Sequence, residues 1–176
     1  MGKIGDVVCV RAAPPGGVDL GVLAALVNAA FLTHDLMEGE RTSAEGMREE
    51  LGASGDVLLA ELEGELLGCA IIRPGSDYAA EQGGYPWAES ALYFGLAGVR
   101  VEHMRAGIGR ALVREAELIA VERGFAAVGL STLREFSLVE YYGAFGYEMV
   151  AYEDYERGHW GLLAPHRLCY MQKVLG

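Results

Sequence analysis

Positive charge is scarce in this chain: 14 Lys and Arg stand against 25 Asp and Glu, a formal net charge of −11. A polyanion would be repelled, so nucleic acid is not expected as a partner. A cationic small molecule would be attracted, although acidity also serves solubility. Cysteine is nearly as rare. Cys9, Cys69 and Cys169 are odd in number and widely spaced, which suggests neither a disulfide framework nor a zinc knuckle. They sit in apolar, strand-like runs and are expected to be buried small hydrophobes in a reducing cytosol. No run approaches the roughly 20 apolar residues that span a bilayer. The opening MGKIGDVVCV lacks the apolar stretch and cleavage site of a secretory signal, and Asp6 departs from a myristoylation pattern. The expectation is a cytoplasmic protein with no membrane partner.

What is present is a 176-residue chain, 52% apolar. That is long enough for one domain, residues 1–176, with a substantial core. Val7–Val10 reads as a strand. Leu20, Leu23, Leu26, Val27, Ala30 and Phe31 then recur at helical spacing. Thr42 with Glu45 three residues on is a capping-box pattern for a short helix ending near Gly52. Val57–Leu62 and Leu66–Ile72 flank Glu63-Gly64 as a hairpin. Pro74–Glu89 reads as a long loop. Ala91–Val101 is the next strand, and Ile108 to about Arg123 a helix. Ala126–Leu133 is a strand, Ser137–Phe145 a short helix, and Tyr147–Tyr152 and Leu168–Leu175 a final antiparallel pair. The order β-α-α-β-β-β-α-β-α-β-β predicts an α/β (α+β) chain: a mixed, mostly antiparallel sheet of about seven strands with about four helices.

The chemically informative stretch runs from Gly98 to Leu112: a strand enters a short loop with Gly107 and Gly109, and a helix begins at once. First-turn N–H groups lack intrahelical partners and the helix dipole favours negative charge there. Glycine removes the Cβ atoms that would hold a phosphate off those N–H groups, and Arg105 and Arg110 add charge. Two glycines at a helix start also occur in simple tight turns. A dinucleotide fingerprint fits less well, because its third glycine position is Leu112 and it belongs after the first strand of a parallel unit.

Together with Tyr141-Tyr142-Gly-Ala-Phe-Gly146-Tyr147 on a later helix, the loop Met104-Arg-Ala-Gly-Ile-Gly109 resembles the GNAT superfamily of N-acetyltransferases. The resemblance covers nearly the whole chain, element order included. It implies acetyl-CoA as cofactor and a small amine or peptide amine as acceptor, with homodimerisation common. It also implies that the strand ending in Val99-Arg-Val101 splays from Ala126–Leu133. The pantetheine arm would lie in that slot against Val99, Arg100 and Val101. The diphosphate would sit on the amides of Arg105, Ala106, Gly107, Ile108, Gly109 and Arg110, beside Met104, and the Val99 N–H would serve as oxyanion donor.

Tyr142 matches the family tyrosine that protonates the departing thiolate; a phenol near pKa 10 and a thiol near about 8.5 keep that proton available at neutral pH. Tyr142 also reads as a packed aromatic near a helix end, like Tyr141. Met104 stands where the family prefers Gln or Arg, with Arg105 a plausible substitute. Tyr93 occupies the place of a strand glutamate that often acts as base. Glu89 is the first substitute, with His34, Asp35 and Glu38 as others. Glu135 stands where many members carry an asparagine, and no role is assigned to it. His103 reads as an exposed loop residue. His159, Trp160 and His166 either line the acceptor site or pack the last hairpin. The histidine spacing does not suggest a metal. Two further readings stay open: a non-catalytic CoA-binding sensor or scaffold, and a transferase of longer acyl chains.

Overall fold

The computed structural model describes residues 4–82, 86–87 and 90–176. Seven strands form one sheet: β1 (Cys9–Ala13), β2 (Asp56–Leu62), β3 (Glu65–Pro74), β4 (Ala91–Val99), β5 (Ala127–Leu133), β6 (Glu148–Tyr155) and β7 (His166–Val174), in the spatial order β1-β2-β3-β4-β5-β7-β6. Every neighbouring pair is antiparallel except β4 and β5. That parallel pair holds together only at Ala91–Ala127, Leu92–Val128 and Tyr93–Gly129. Beyond Tyr93 the two strands run on without pairing, and a wedge-shaped gap opens in the middle of the sheet.

Among the described residues five α-helices cover the two faces: α1 (Leu20–Phe31), α2 (Ala44–Leu51), α3 (Gly75–Gln82), α4 (Ile108–Glu122) and α5 (Leu138–Gly143). Alternation along the strands decides which layer each side chain joins. Val57 and Leu59 of β2 join Leu23, Val27, Met47 and Leu51 of α1 and α2 in one cluster. Leu58 and Ala60 join Ile108, Leu112, Ala116 and Ile119 of α4 in the other. Each of the fully buried Leu and Ile side chains contributes about 1.5–3 kcal/mol, so the two layers hold the gap's walls in place. No helix among the described residues is long and apolar enough to cross a membrane.

The structure departs from the sequence expectations in local ways. Gly75–Gln82, expected as loop, forms α3, because Tyr78 stacks on Tyr93 at 4.1 Å between ring centroids and ties the turn to the sheet. The cap of α2 is Ser43, whose Oγ accepts from the Gly46 N–H at 3.0 Å, rather than Thr42. β4 stops at Val99, and Val101 opens a 3₁₀ turn. Cys9 is exposed on the edge strand, whereas Cys69 and Cys169 are buried as expected.

Candidate active site

The site begins with the register of β4. Arg100 N–H donates to the Leu67 carbonyl at 2.8 Å, and Val99 lies opposite Gly68. Antiparallel pairing alternates hydrogen-bonded and non-hydrogen-bonded positions, so Val99 turns its N–H and C=O away from β3 and toward the gap. A bulge between Cys69 and Ile71 sits two residues earlier, with Leu96 at φ 43°. It bends β4 away from β5.

The chain then enters α4. Gly107 is the residue before the helix, at φ 94°, with no side chain capping the first turn. The amides of Gly107, Ile108, Gly109 and Arg110 have no backbone acceptor among the described residues, and the first bond of the helix runs from Ala111 N–H to Gly107 O at 3.1 Å. The loop has a firm back wall. Gly5 N–H donates to Ala106 O at 2.9 Å, and a Cβ on Gly5 would come within 2.4 Å of the Gly107 carbonyl. Only glycine lets the two backbones approach so closely. Arg105 and Arg110 are exposed, and neither is ion-paired among the described residues; the Arg110 guanidinium lies 5.6 Å from the Phe145 ring. Arg100 is different: its Nε donates to Leu66 O at 2.7 Å and its guanidinium faces Glu65 and Glu102. Its side chain is held at the β2–β3 hairpin, leaving only its main chain for the gap. Val101 spends its carbonyl on Met104 N–H at 3.3 Å, and Met104 is half-buried.

A diphosphate fits this cradle: four consecutive N–H groups without a backbone acceptor among the described residues, a positive helix end and two exposed guanidinium groups offer what it needs, with no Cβ at Gly107 or Gly109 to obstruct it. The acetyl-CoA that the sequence resemblance implies carries such a diphosphate, so the residues present fit it.

Two tyrosines of α5 close the site from the α4 side. Tyr142 is buried among α4, β5 and Tyr147, and its hydroxyl has no hydrogen bond among the described residues. Burial, reinforced by Tyr141, pushes its phenol well above the ordinary value, so the proton stays on. Tyr141, read from the sequence as an ordinary packed neighbour, reaches the cradle: a Cβ on Gly109 would lie 3.0 Å from its hydroxyl. Burial raises its phenol and the Arg110 charge partly offsets this. The family motif singled out Tyr142, but only the pitch of α5 shows that Tyr141 faces the cradle.

The opposite face belongs to the segment after α1 and the loop between β6 and β7. The two are clasped by Glu38 N–H to Gly161 O at 3.0 Å and Leu163 N–H to Leu36 O at 2.9 Å. His34 stacks on Phe136 at 3.8 Å, and burial lowers its pKa, so the ring is neutral. Asp35 and Glu38 are exposed, and His103 is half-buried in the turn after β4. Tyr93 fills its position by stacking on Tyr78 and by lying 5.3 Å from Trp87. Glu135 accepts from Arg167 N–H at 3.2 Å and so steadies β7. Glu89 lies outside the described residues.

Comparison with known proteins agrees with this geometry. A family model described as an acetyltransferase (GNAT) domain matches residues 53–149. Among solved structures, a ribosomal-protein-alanine N-acetyltransferase from Brucella melitensis aligns with a TM-score of 0.68 at 23% identity, over 95% of this chain and 99% of that one. A GNAT family acetyltransferase from Elizabethkingia anophelis, solved with acetyl-CoA bound, aligns at 0.66 and 16% identity, over 97% and 99%. A GNAT family acetyltransferase from Streptococcus pneumoniae aligns at 0.65 and 19% identity, over 96% and 99%. No curated protein matches the sequence. The structural likenesses share the fold, and the family model spans more than half of the chain, which belongs to the GNAT family of acetyltransferases.

Proposed function

We propose that this acetyl-CoA-dependent N-acetyltransferase transfers the acetyl group directly to a primary amine within a ternary complex, using Val99 and Tyr142 as its principal groups. When bound, acetyl-CoA supplies the acetyl group as a thioester. The amides of residues 107–110 hold the diphosphate, and Arg105 and Arg110 add charge. The Val99 N–H, directed into the gap by the β3–β4 register, donates to the carbonyl oxygen as negative charge develops there. Tyr142 keeps its proton at neutral pH because burial disfavours the phenolate and gives it to the departing sulfur. The amine's own proton leaves toward the acceptor side, where Glu89 remains a proposed acceptor.

The observation that carries this reading is the run of four unpartnered amides at the start of α4, beside a gap in the sheet. Calorimetric titration of the purified protein with coenzyme A tests it. A micromolar or tighter Kd is expected, and no heat of binding at millimolar coenzyme A would overturn the assignment of the cradle.

A further inference from the structure

On the acceptor-side face, β6 and β7 carry a carboxylate that the chemistry above leaves unused. Glu153 Oε2 accepts hydrogen bonds from two phenols, Tyr155 at 2.5 Å and Tyr170 at 2.8 Å. No cation pairs with Glu153 among the described residues. Its neighbour Asp154, on the opposite face, is bound by both Nε and Nη2 of Arg167 at 2.6 and 2.9 Å. The two hydroxyls, Tyr155 first, hold Glu153 below the usual carboxylate range. A carboxylate stabilised in this way is a poor proton acceptor and a good partner for a fixed positive charge.

The surroundings suit an ammonium group. The Tyr155 ring stacks on His159 at 4.3 Å and lies 4.9 Å from Trp160 and 5.6 Å from His166. Trp160 is 50% exposed and held at φ 52°, which keeps its indole in the cluster rather than the core. His166 is only 4% exposed. Its Nδ1 lies 3.1 Å from the Ala164 carbonyl and is assigned as the donor there, which leaves buried Nε2 as an acceptor without a partner among the described residues. The exposed indole of Trp160 and a carboxylate oxygen of Glu153 with no cation among the described residues together match what a cationic amine requires.

The place of this cluster in the sheet sets a length. Glu153 pairs with Leu168, and Leu168 with Leu133 at the end of β5, beyond the last β4–β5 pair. Three strand spacings separate β6 from β4, whose Val99 N–H faces the gap, about 14 Å. Aromatic rings bridge that span, with Tyr170 5.8 Å from Trp87 and Trp87 5.3 Å from Tyr93.

We propose that Glu153, with Tyr155 and Trp160, binds a second cationic group of the acceptor roughly 14 Å from the reacting nitrogen, so that the acceptor is an elongated small polyamine. The inference rests on the amine-acetylating reading above and narrows it. Initial rates with a series of α,ω-diamines and length-matched monoamines test it, alongside calorimetric titration of a long α,ω-diamine into the protein saturated with coenzyme A. The wild type is expected to prefer the long diamine by about tenfold or more in KM, as one charge-assisted contact supplies. Glu153→Gln should erase that preference and weaken the calorimetric affinity by a similar factor, with monoamine kcat and coenzyme A affinity unchanged. Tyr155→Phe should produce a smaller loss in the same direction. Retention of the diamine preference and of diamine affinity in Glu153→Gln overturns the subsite. Acetylation of no amine by a protein that binds coenzyme A would instead sink the catalytic reading, and the diamine titration would then decide the subsite alone.

Discussion

The two ends of the gap are built from different materials. At the α4 end the recognition groups are main-chain amides on a loop whose shape is dictated by Gly107 and backed by Gly5. At the β6–β7 end the proposed recognition groups are side chains of Glu153, Tyr155 and Trp160, carried by one strand and the loop that follows it. A main-chain site binds one ligand chemistry and tolerates many side-chain changes. A side-chain site can be respecified one residue at a time.

Changes at the cofactor end should therefore be severe when they touch backbone geometry and mild when they touch side chains. Tyr142→Phe is the exception, since it removes the proton itself. It is expected to lower kcat by about 100-fold or more, the usual contribution of a general acid, with coenzyme A affinity nearly unchanged by calorimetry. Because burial raises the Tyr142 phenol, the protonated acid persists as pH rises, so wild-type kcat should show no fall between pH 7 and 9. An alkaline limb in that range that disappears in Tyr142→Phe would assign the phenol a different state.

Gly107→Val comes next. A β-branched residue at φ 94° is strained and swings the amides off target. The loss of about two charge-assisted hydrogen bonds predicts coenzyme A binding weaker on the order of 100-fold, with the thermal transition still cooperative. Gly5→Val acts on the same loop from behind. Its side chain meets Gly107 main-chain atoms at 2.4 Å, and a coenzyme A Kd raised roughly tenfold is expected from a displaced loop. An unaltered Kd would show that residues 4–6 do not shape the cradle. The smallest effect belongs to Tyr141→Phe. Removing a hydroxyl over Gly109 should change the Kd by about threefold or less, which isothermal titration can measure.

The order of elements, the two-glycine loop and the α5 motif could be read in the chain because they rest on local rules: apolar periodicity, the φ > 0 position of Gly107, and a helix start without a cap. The α3 helix was less legible. Pro74, Gly75 and the glycines after it are loop signals, and the contact that overrides them is Tyr78 on Tyr93, 15 residues away. Arg100 was legible only in part. The resemblance placed it along the pantetheine arm, but nothing in the sequence showed that the Leu66 carbonyl claims its Nε.

By itself the sequence determined the main strands and helices and the glycine turn before α4, since these follow from neighbours within a few residues, and the cofactor class followed from the resemblance of that turn and the α5 segment to a family. Only the tertiary structure decided that Gly5 braces the turn, that Tyr141 overhangs Gly109, and that the hydroxyls of Tyr155 and Tyr170 meet on Glu153. Each of those depends on segments brought together across the sheet, where strand order and register, not sequence spacing, set the distance.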